Sequence, residues 1–373
     1  MHNRRAIALL PSAPVRHLWR FDPLSEFRVG LSAGFQKPDG TPAYPDFELT
    51  PLAANPNVAL VKLRNRNEIA PGDTADIDAL ILLGEAFPRA AIGSQARLAL
   101  VARFGVGFDQ VDVEACTQNG IAVTITPDGV RRPVAVSVVA FLLALTGRMF
   151  DKDRLTRMGP PGFAKKSAFM GTGLVGRTMG FVGIGNIGAE TARLVQPFGM
   201  RLVAHDPFAD PALARELEIT LIDLNELFQI SDFISLHCPL NDDTRHLVNE
   251  RRLTMMKPTA YLINTARGPI IDQAALTRAL QERCIAGAGL DVFDPEPPLA
   301  DDPLLTLDNV ILAPHALCHT DQCFAGIGAS CVAATMAVLE GKAPINLVDQ
   351  SVKDHTAFVA KLAAYAQRHA RPS

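Results

Sequence analysis

The chain has 373 residues, with 36 Lys plus Arg against 39 Asp plus Glu and a formal net charge of -3. That length supports two domains, each with its own core. The near-balanced charge, with no long basic tract, argues against nucleic acid or an anionic membrane surface as partner.

Read in chain order, the N-terminus carries Arg4 and Arg5 and a short apolar run broken by Pro11 and Pro14. A secretory signal needs a longer apolar stretch, so residues 6–10 are expected to form a buried strand. Residues 30–56 are rich in Pro, Gly and Asp and are expected to be loop. Further strands are predicted at ALILL (79–83), LALVARF (98–104) and IAVTIT (121–126). The longest apolar stretch, residues 133–147, is shorter than the roughly 20 residues that span a bilayer. A buried helix with Pro133 in its first turn is expected there.

From residue 179 the alternation is regular. Strand-like runs are MGFVGI (179–184), RLVAH (201–205), DFISLH (232–237), AYLINT (260–265), IAGAGLDV (285–292) and NVILAP (309–314). Residues 189–199 and 272–283 have helical spacing, the first stopped by Gly199. Six strands with crossover helices predict a doubly wound parallel sheet. After Pro314, residues 332–342 read as a helix that returns to the first unit. The fold class expected is therefore α/β with two doubly wound parallel-sheet domains. Residues 1–126 and 318–373 would form a discontinuous substrate domain, and residues 127–317 a nucleotide-binding Rossmann domain inserted within it.

The segment MGFVGIGNIGAE places Gly183, Gly185 and Gly188 in a G-x-G-x-x-G pattern, with Asn186 and Ile187 between them. A strand-like run precedes it and an Ala-rich helix follows. Gly183 suits the tight turn, Gly185 the close approach of a pyrophosphate and Gly188 the helix–strand packing. Asp206 ends the next strand, where a carboxylate accepts hydrogen bonds from ribose hydroxyls and repels a 2′-phosphate. This favours NAD over NADP.

Three further segments lie near strand ends: NTARG (264–268), DVFDPEPP (291–298) and APH (313–315). They bring Arg267, Glu296 and His315 toward one crevice. Hydride transfer between a 2-hydroxy acid and a 2-oxo acid needs a cation for the carboxylate and carbonyl, and a proton donor for the carbonyl oxygen. Arg267 suits the first role and His315 the second, with Glu296 stabilising the imidazolium. Taken alone, each has an ordinary alternative: a surface ion pair, a solvated Pro-rich loop and a core histidine. No metal is expected. His315 is committed elsewhere, and Cys318, His319 and Cys323 fall short of the four ligands of a structural zinc site. The six cysteines, Cys116, Cys238, Cys284, Cys318, Cys323 and Cys331, form no compact framework, so reduced thiols and a cytoplasmic location are expected.

These segments, together with ARFGVGFDQVDVEAC (102–116), LHCPLNDDTRHLVN (236–249) and MKPTAYLINTARGPIIDQAAL (256–276), resemble the D-isomer-specific 2-hydroxyacid dehydrogenase family from about Leu98 to Val348. The resemblance implies a substrate-binding role for Arg267, an orienting acid in Glu296 and an acid/base in His315. It implies that Asp291 binds the nicotinamide carboxamide, and that Val106 and Gly107 offer backbone N–H groups to the substrate carboxylate. Cys238, Pro239, Thr244, Thr265 and Ala266 would line the cofactor, and a homodimer would form through the NAD-binding domain. A phosphite dehydrogenase and an NAD-sensing corepressor are alternatives on the same fold. The chain departs from the family at Val136 and Ser137, where an acidic residue followed by His or Ser is common, and over its first seventy or so residues. Arg131 and Arg132 stand side by side at the expected domain junction; either both are solvated or paired with nearby acids, or one of them enters the crevice and binds a second anion on the substrate.

Overall fold

A computed structural model of the protein describes residues 27–369, apart from 45–46, 48, 64–66 and 94–96. The strand expected at residues 6–10 lies outside the described residues. Twelve described strands form two all-parallel sheets. The first contains β1 (Phe27–Leu31), β2 (Val58–Lys62), β3 (Ala79–Leu82), β4 (Leu100–Arg103) and β5 (Ala122–Thr124), in the order β2-β1-β3-β4-β5. The second contains β6 (Thr178–Val182), β7 (Arg201–His205), β8 (Thr220–Leu221), β9 (Phe233–Leu236), β10 (Tyr261–Asn264), β11 (Gly287–Leu290) and β12 (Val310–Leu312), in the order β12-β11-β10-β9-β6-β7-β8. Strands β3, β6, β9 and β11 are buried along their whole length, as parallel strands covered on both faces must be.

The expected strands are present in shortened form, and three more are present that the sequence does not announce. β1 carries Arg28 and Gly30, which weaken its apolar pattern. Gly30 is nonetheless suited to its place, since a Cβ there would come 2.7 Å from Ile77 Cδ1. β2 follows directly on Asn55-Pro56-Asn57, so turn chemistry masks its start. β8 is only two exposed residues at the sheet edge. The loop expected over 30–56 is interrupted by the end of β1, a 3-10 turn at Ala33–Phe35 and a short helix at Thr50–Ala53.

The apolar helix runs from Pro127 to Gly147, longer than expected. Pro127 holds the first turn, and Pro133 lies inside the helix, where it removes one backbone donor. This helix and the one at Asp321–Leu339 are long and apolar enough to cross a membrane, yet about half of each (56%) is buried in the protein. They cross closely: a Cβ on Gly129 would meet the backbone of Gly326 and Ile327. Residues after 318 pack on the first sheet. Cys323, Phe324, Val332, Val338 and Tyr365 share one core with Phe27, Val29, Leu100 and Phe104. Lys361 donates to the carbonyls of Leu98 (2.7 Å), Gly120 (2.9 Å) and Asn119 (3.0 Å), fastening the C-terminal helix to β4 and β5.

In each sheet the strand order reverses once, between β1 and β3 and between β6 and β9. The carboxyl ends beside such a reversal form the ligand crevice of an open α/β sheet. The motifs singled out in the sequence follow these ends: 103–109 after β4, 183–188 after β6, Asp206 after β7, Cys238 after β9, Thr265–Arg267 after β10, Asp291 after β11 and His315 after β12.

Candidate active site

The glycine-rich turn joins β6 to the helix Asn186–Val195. Gly183 has φ +93, in the region that favours glycine, and a Cβ there would sit 3.0 Å from the Cys238 amide nitrogen. A Cβ on Gly188 would overlap the Gly183 carbonyl, so helix and strand meet in direct backbone contact. Gly185 differs: a Cβ there would meet nothing within 4 Å, which leaves room for a phosphate. The helix that follows has no side-chain cap, whereas Asp112, Asp210, Asp223, Asn249, Asp272 and Thr320 cap others. Its first N–H groups are thus left for an anion. Asn186 donates from its side chain to the Pro127 carbonyl (3.2 Å), and Ile187 packs on the first core.

Asp206 accepts from the Ile184 N–H through one oxygen and from the Phe208 N–H through the other, both at 2.9 Å. The carboxylate is fixed beside the glycine turn with lone pairs left for hydroxyls. Pro239 and Thr244 close a small turn, the Thr244 hydroxyl donating to the Pro239 carbonyl at 2.6 Å. Thr265 Oγ1 is buried without a partner among the described residues. An open glycine cradle, an uncapped helix, a fixed acid and an orphaned hydroxyl fit a dinucleotide. His237, not anticipated from sequence, stacks on Phe181 at 5.9 Å, and burial pushes its pKa down to about 4. It is therefore neutral at physiological pH.

Arg267 follows β10. It donates from Nη1 to the Ala266 carbonyl (2.7 Å) and from Nε to Asp109 (2.8 Å), and its guanidinium lies so close over Gly107 that any side chain there would overlap it. The Val106–Gly107 backbone and the guanidinium thus face one small volume. Asp109 carries no signal in the sequence that marks it for this contact. Burial alone would raise its pKa, but the charge and hydrogen bond of Arg267 outweigh this and hold it below the usual carboxylate range.

His315 has φ +53, unusual for a residue with a side chain, and follows β12. Its Nδ1 lies 2.6 Å from Glu296 Oε1, while Glu296 Oε2 accepts from the Phe293 N–H at 3.2 Å. Burial raises the Glu296 pKa, but the His315 hydrogen bond and charge, with smaller help from Phe293 and Arg267, bring it below the ordinary value. Asp291 accepts from the N–H groups of Ala316 (3.0 Å) and Leu317 (3.3 Å), which fixes the turn that aims His315. Its pKa is raised by burial, partly offset by those two bonds. With Nδ1 held by Glu296, Nε2 is left to exchange a proton with a ligand. Arg267 and His315 both act electrostatically on Glu296, and His315 also on Asp291, so these four side chains share one field.

Arg131 and Arg132 find acidic partners close by, the ordinary alternative for both. Arg131 pairs with Asp128 (3.7 Å) and Arg132 with Glu190 (2.9 Å), both arginines largely exposed on the Pro127–Gly147 helix. An acid three residues away and another on a neighbouring helix give them local partners that compete with any ligand. Val136 is exposed on the same helix, and the Ser137 hydroxyl donates to the Pro133 carbonyl. Past His315, His319 packs edge-on against Tyr44 and Phe324, and Tyr44 stacks on Phe324 at 4.7 Å. Among the described residues no group of three or more His, Cys, Asp or Glu could hold a metal.

Comparison with known proteins places the chain in a family. Residues 139–316 match the D-isomer specific 2-hydroxyacid dehydrogenase, NAD binding domain. The chain is 41% identical over 279 residues to a glyoxylate reductase from Korarchaeum cryptofilum, covering 74% of this chain and 84% of that protein. It belongs to the D-isomer-specific 2-hydroxyacid dehydrogenase family. NAD is therefore the cofactor of this dehydrogenase, as the site supports. A glyoxylate reductase from Paecilomyes thermophila superimposes with a TM-score of 0.74 at 25% identity, covering 87% of this dehydrogenase and 99% of that chain. A D-mandelate dehydrogenase from Rhodotorula graminis gives 0.75 at 26%, covering 87% and 98%.

Proposed function

We propose that this dehydrogenase reduces a 2-oxo acid to its 2-hydroxy acid in the cell, with Arg267 binding the carboxylate, His315 giving the proton and Glu296 orienting His315. The observation that carries the reading is the 2.6 Å contact between His315 Nδ1 and Glu296, in the same electrostatic field as Arg267. NAD, when bound, supplies or accepts the hydride. Gly183, Gly185, Asn186, Ile187 and Gly188 would receive its pyrophosphate and Asp206 its adenosine ribose. Cys238, Pro239, Thr244, Thr265 and Ala266 would border it, and Asp291 would hold the carboxamide.

The substrate carboxylate binds to the Val106 and Gly107 N–H groups and to the Arg267 fork, which also polarises the carbonyl. His315 Nε2 then gives its proton to the carbonyl oxygen. The Glu296 carboxylate stabilises the imidazolium before transfer and keeps the ring in one orientation afterwards. Closing the crevice between the sheets excludes water from the transfer.

The proposed division is residues 1–126 with 318–373 as the substrate-binding unit and residues 127–317 as the NAD-binding unit. The chain is inferred to act as a cytoplasmic homodimer through the NAD-binding unit. Exposed apolar side chains on neighbouring segments of that unit, Met149, Phe150, Phe163 and Met170, support that interface. Its test is the mass of the purified protein in solution: a dimer is expected, and a monomer contradicts it.

The catalytic reading is tested by mixing purified enzyme with NADH and a panel of 2-oxo acids varied in length and charge, followed by NADH absorbance. Turnover of at least one acid is expected. Reduction of NAD by phosphite in a separate assay, with no turnover of any 2-oxo acid, or NADH binding without turnover, would overturn it.

A further inference from the structure

We propose that Arg103 is a second anion-binding residue of the substrate pocket, so that the preferred 2-oxo acid carries a carboxylate or phosphate beyond the one held by Arg267. The inference rests on the reading of Arg267 as the first carboxylate ligand.

Arg103 ends β4, at the carboxyl edge of the first sheet beside the crevice. Its side chain does not run out to solvent. It folds back over its own loop, Nη1 donating to the Phe104 carbonyl at 2.5 Å and lying against Gly105. Gly105 has φ +140, which favours glycine, and a Cβ on it would sit 3.2 Å from that nitrogen, so the guanidinium lies close against the loop backbone. Two residues further, Gly107 stands in the same relation to Arg267. Consecutive Cα atoms are about 3.8 Å apart, so the two glycines under the two guanidinium groups are at most roughly 8 Å apart.

The two arginines differ in their partners. Arg267 has Asp109 at 2.8 Å. Among the described residues, no carboxylate lies within 4.0 Å of the Arg103 guanidinium. Glu85, close enough to act on it electrostatically, is itself buried, and its oxygens accept from the N–H groups of Gly34 (3.0 Å) and Gly84 (3.1 Å). A half-buried cation that hydrogen-bonds one carbonyl and feels Asp109 and Glu85 only through longer-range charge is incompletely compensated, and an arriving anion relieves that cost. Burial, and next the charge of Arg267, push the Arg103 pKa down to about 10, the direction expected of a cation short of negative charge. The guanidinium fork suits a carboxylate or a phosphate. Its separation from Arg267 along the loop fits an anion a few bonds beyond the first carboxylate. The arginines that the sequence offers for this role, Arg131 and Arg132, already hold Asp128 and Glu190.

The test compares kcat/KM, with NADH, for pairs matched in length: 2-oxoglutarate against 2-oxohexanoate, and phosphohydroxypyruvate against an uncharged ether of hydroxypyruvate. Wild-type enzyme is expected to favour at least one dianion over its matched monoanion by about 10-fold or more. Arg103→Met should lower that preference by roughly 10- to 100-fold, chiefly through KM, and Arg103→Lys should restore part of it. Tight binding of NADH by each variant checks that it is folded. No dianion preference in the wild type, or the same preference in Arg103→Met, overturns the proposal. Failure of the wild type to reduce any member of the panel would instead overturn the underlying reading of Arg267 and His315. If Arg103→Met does not fold, the wild-type preference and its weakening in Arg103→Lys decide the matter alone.

Discussion

The two sheets meet the crevice with loops of different character. At the carboxyl ends of the seven-stranded sheet the acids of the site are tied down: Asp206 to two N–H groups, Asp291 to the turn after His315, Glu296 to Phe293 and to His315. At the carboxyl end of β4 in the five-stranded sheet, Asp109 reaches across to Arg267, while Arg103 carries a charge that no described carboxylate pairs. The first arrangement is preorganised and suits the invariant part of a reaction. The second leaves electrostatic demand for a ligand to satisfy. On the proposed reading, chemistry falls to one sheet and selectivity to the other.

That division can be broken from either side. The largest effect is expected at His315. His315→Asn should lower kcat by about 100- to 10,000-fold with NADH affinity nearly unchanged, measured by steady-state rates and by NADH fluorescence titration. Glu296→Gln keeps an acceptor opposite the ring but removes its charge, and a fall in kcat of about 10- to 100-fold is expected, together with a shifted pH–rate profile. The Glu296 pKa is lowered in the folded protein, so the stability it contributes is present above its ordinary value of 4.5 and is lost as pH falls through the depressed value. Urea titrations should show that acid-side loss flattened in the variant.

On the other sheet, Asp109→Asn should raise KM for the 2-oxo acid by roughly 10-fold with a smaller change in kcat, because it loosens Arg267 without removing it. The smallest effect concerns stability alone. His237 has its pKa pushed down from 6.5 to about 4, so the unfolded chain takes up a proton that the folded one refuses in this window. Stability should therefore fall on acidification from pH 6.5 to about 4, by on the order of 2 kcal/mol, and His237→Gln should remove that slope in urea melts.

How far the sequence can be read follows the same division. The Rossmann half is legible, β8 aside, because its strands are short, mostly apolar runs and the candidate site residues follow them within a few positions, as Gly183 follows β6 and Arg267 follows β10. Asp109 is not legible as a partner of Arg267, since the two lie 158 positions apart and nothing local to either announces the contact. β1 escapes a sequence reading because Arg28 and Gly30 interrupt its apolar residues, and β2, although Val58–Val61 are apolar, because the Asn55-Pro56-Asn57 turn abuts its start; the parallel ladders of β1 with β2 and β3 reveal both strands. Proline is favoured in a first helical turn, which suggests that place for Pro133, but Pro127 occupies it one and a half turns earlier.

The most direct test of the account is the KM for the best-turned-over 2-oxo acid of the panel in Arg267→Met relative to wild type, read from NADH absorbance in enzyme shown to bind NADH. A rise of roughly 100-fold or more, with kcat falling as well, is the result expected of a guanidinium that holds the carboxylate and polarises the carbonyl. Unchanged KM and kcat would contradict the assignment of Arg267 and, with it, the shared site of Arg267, Glu296 and His315.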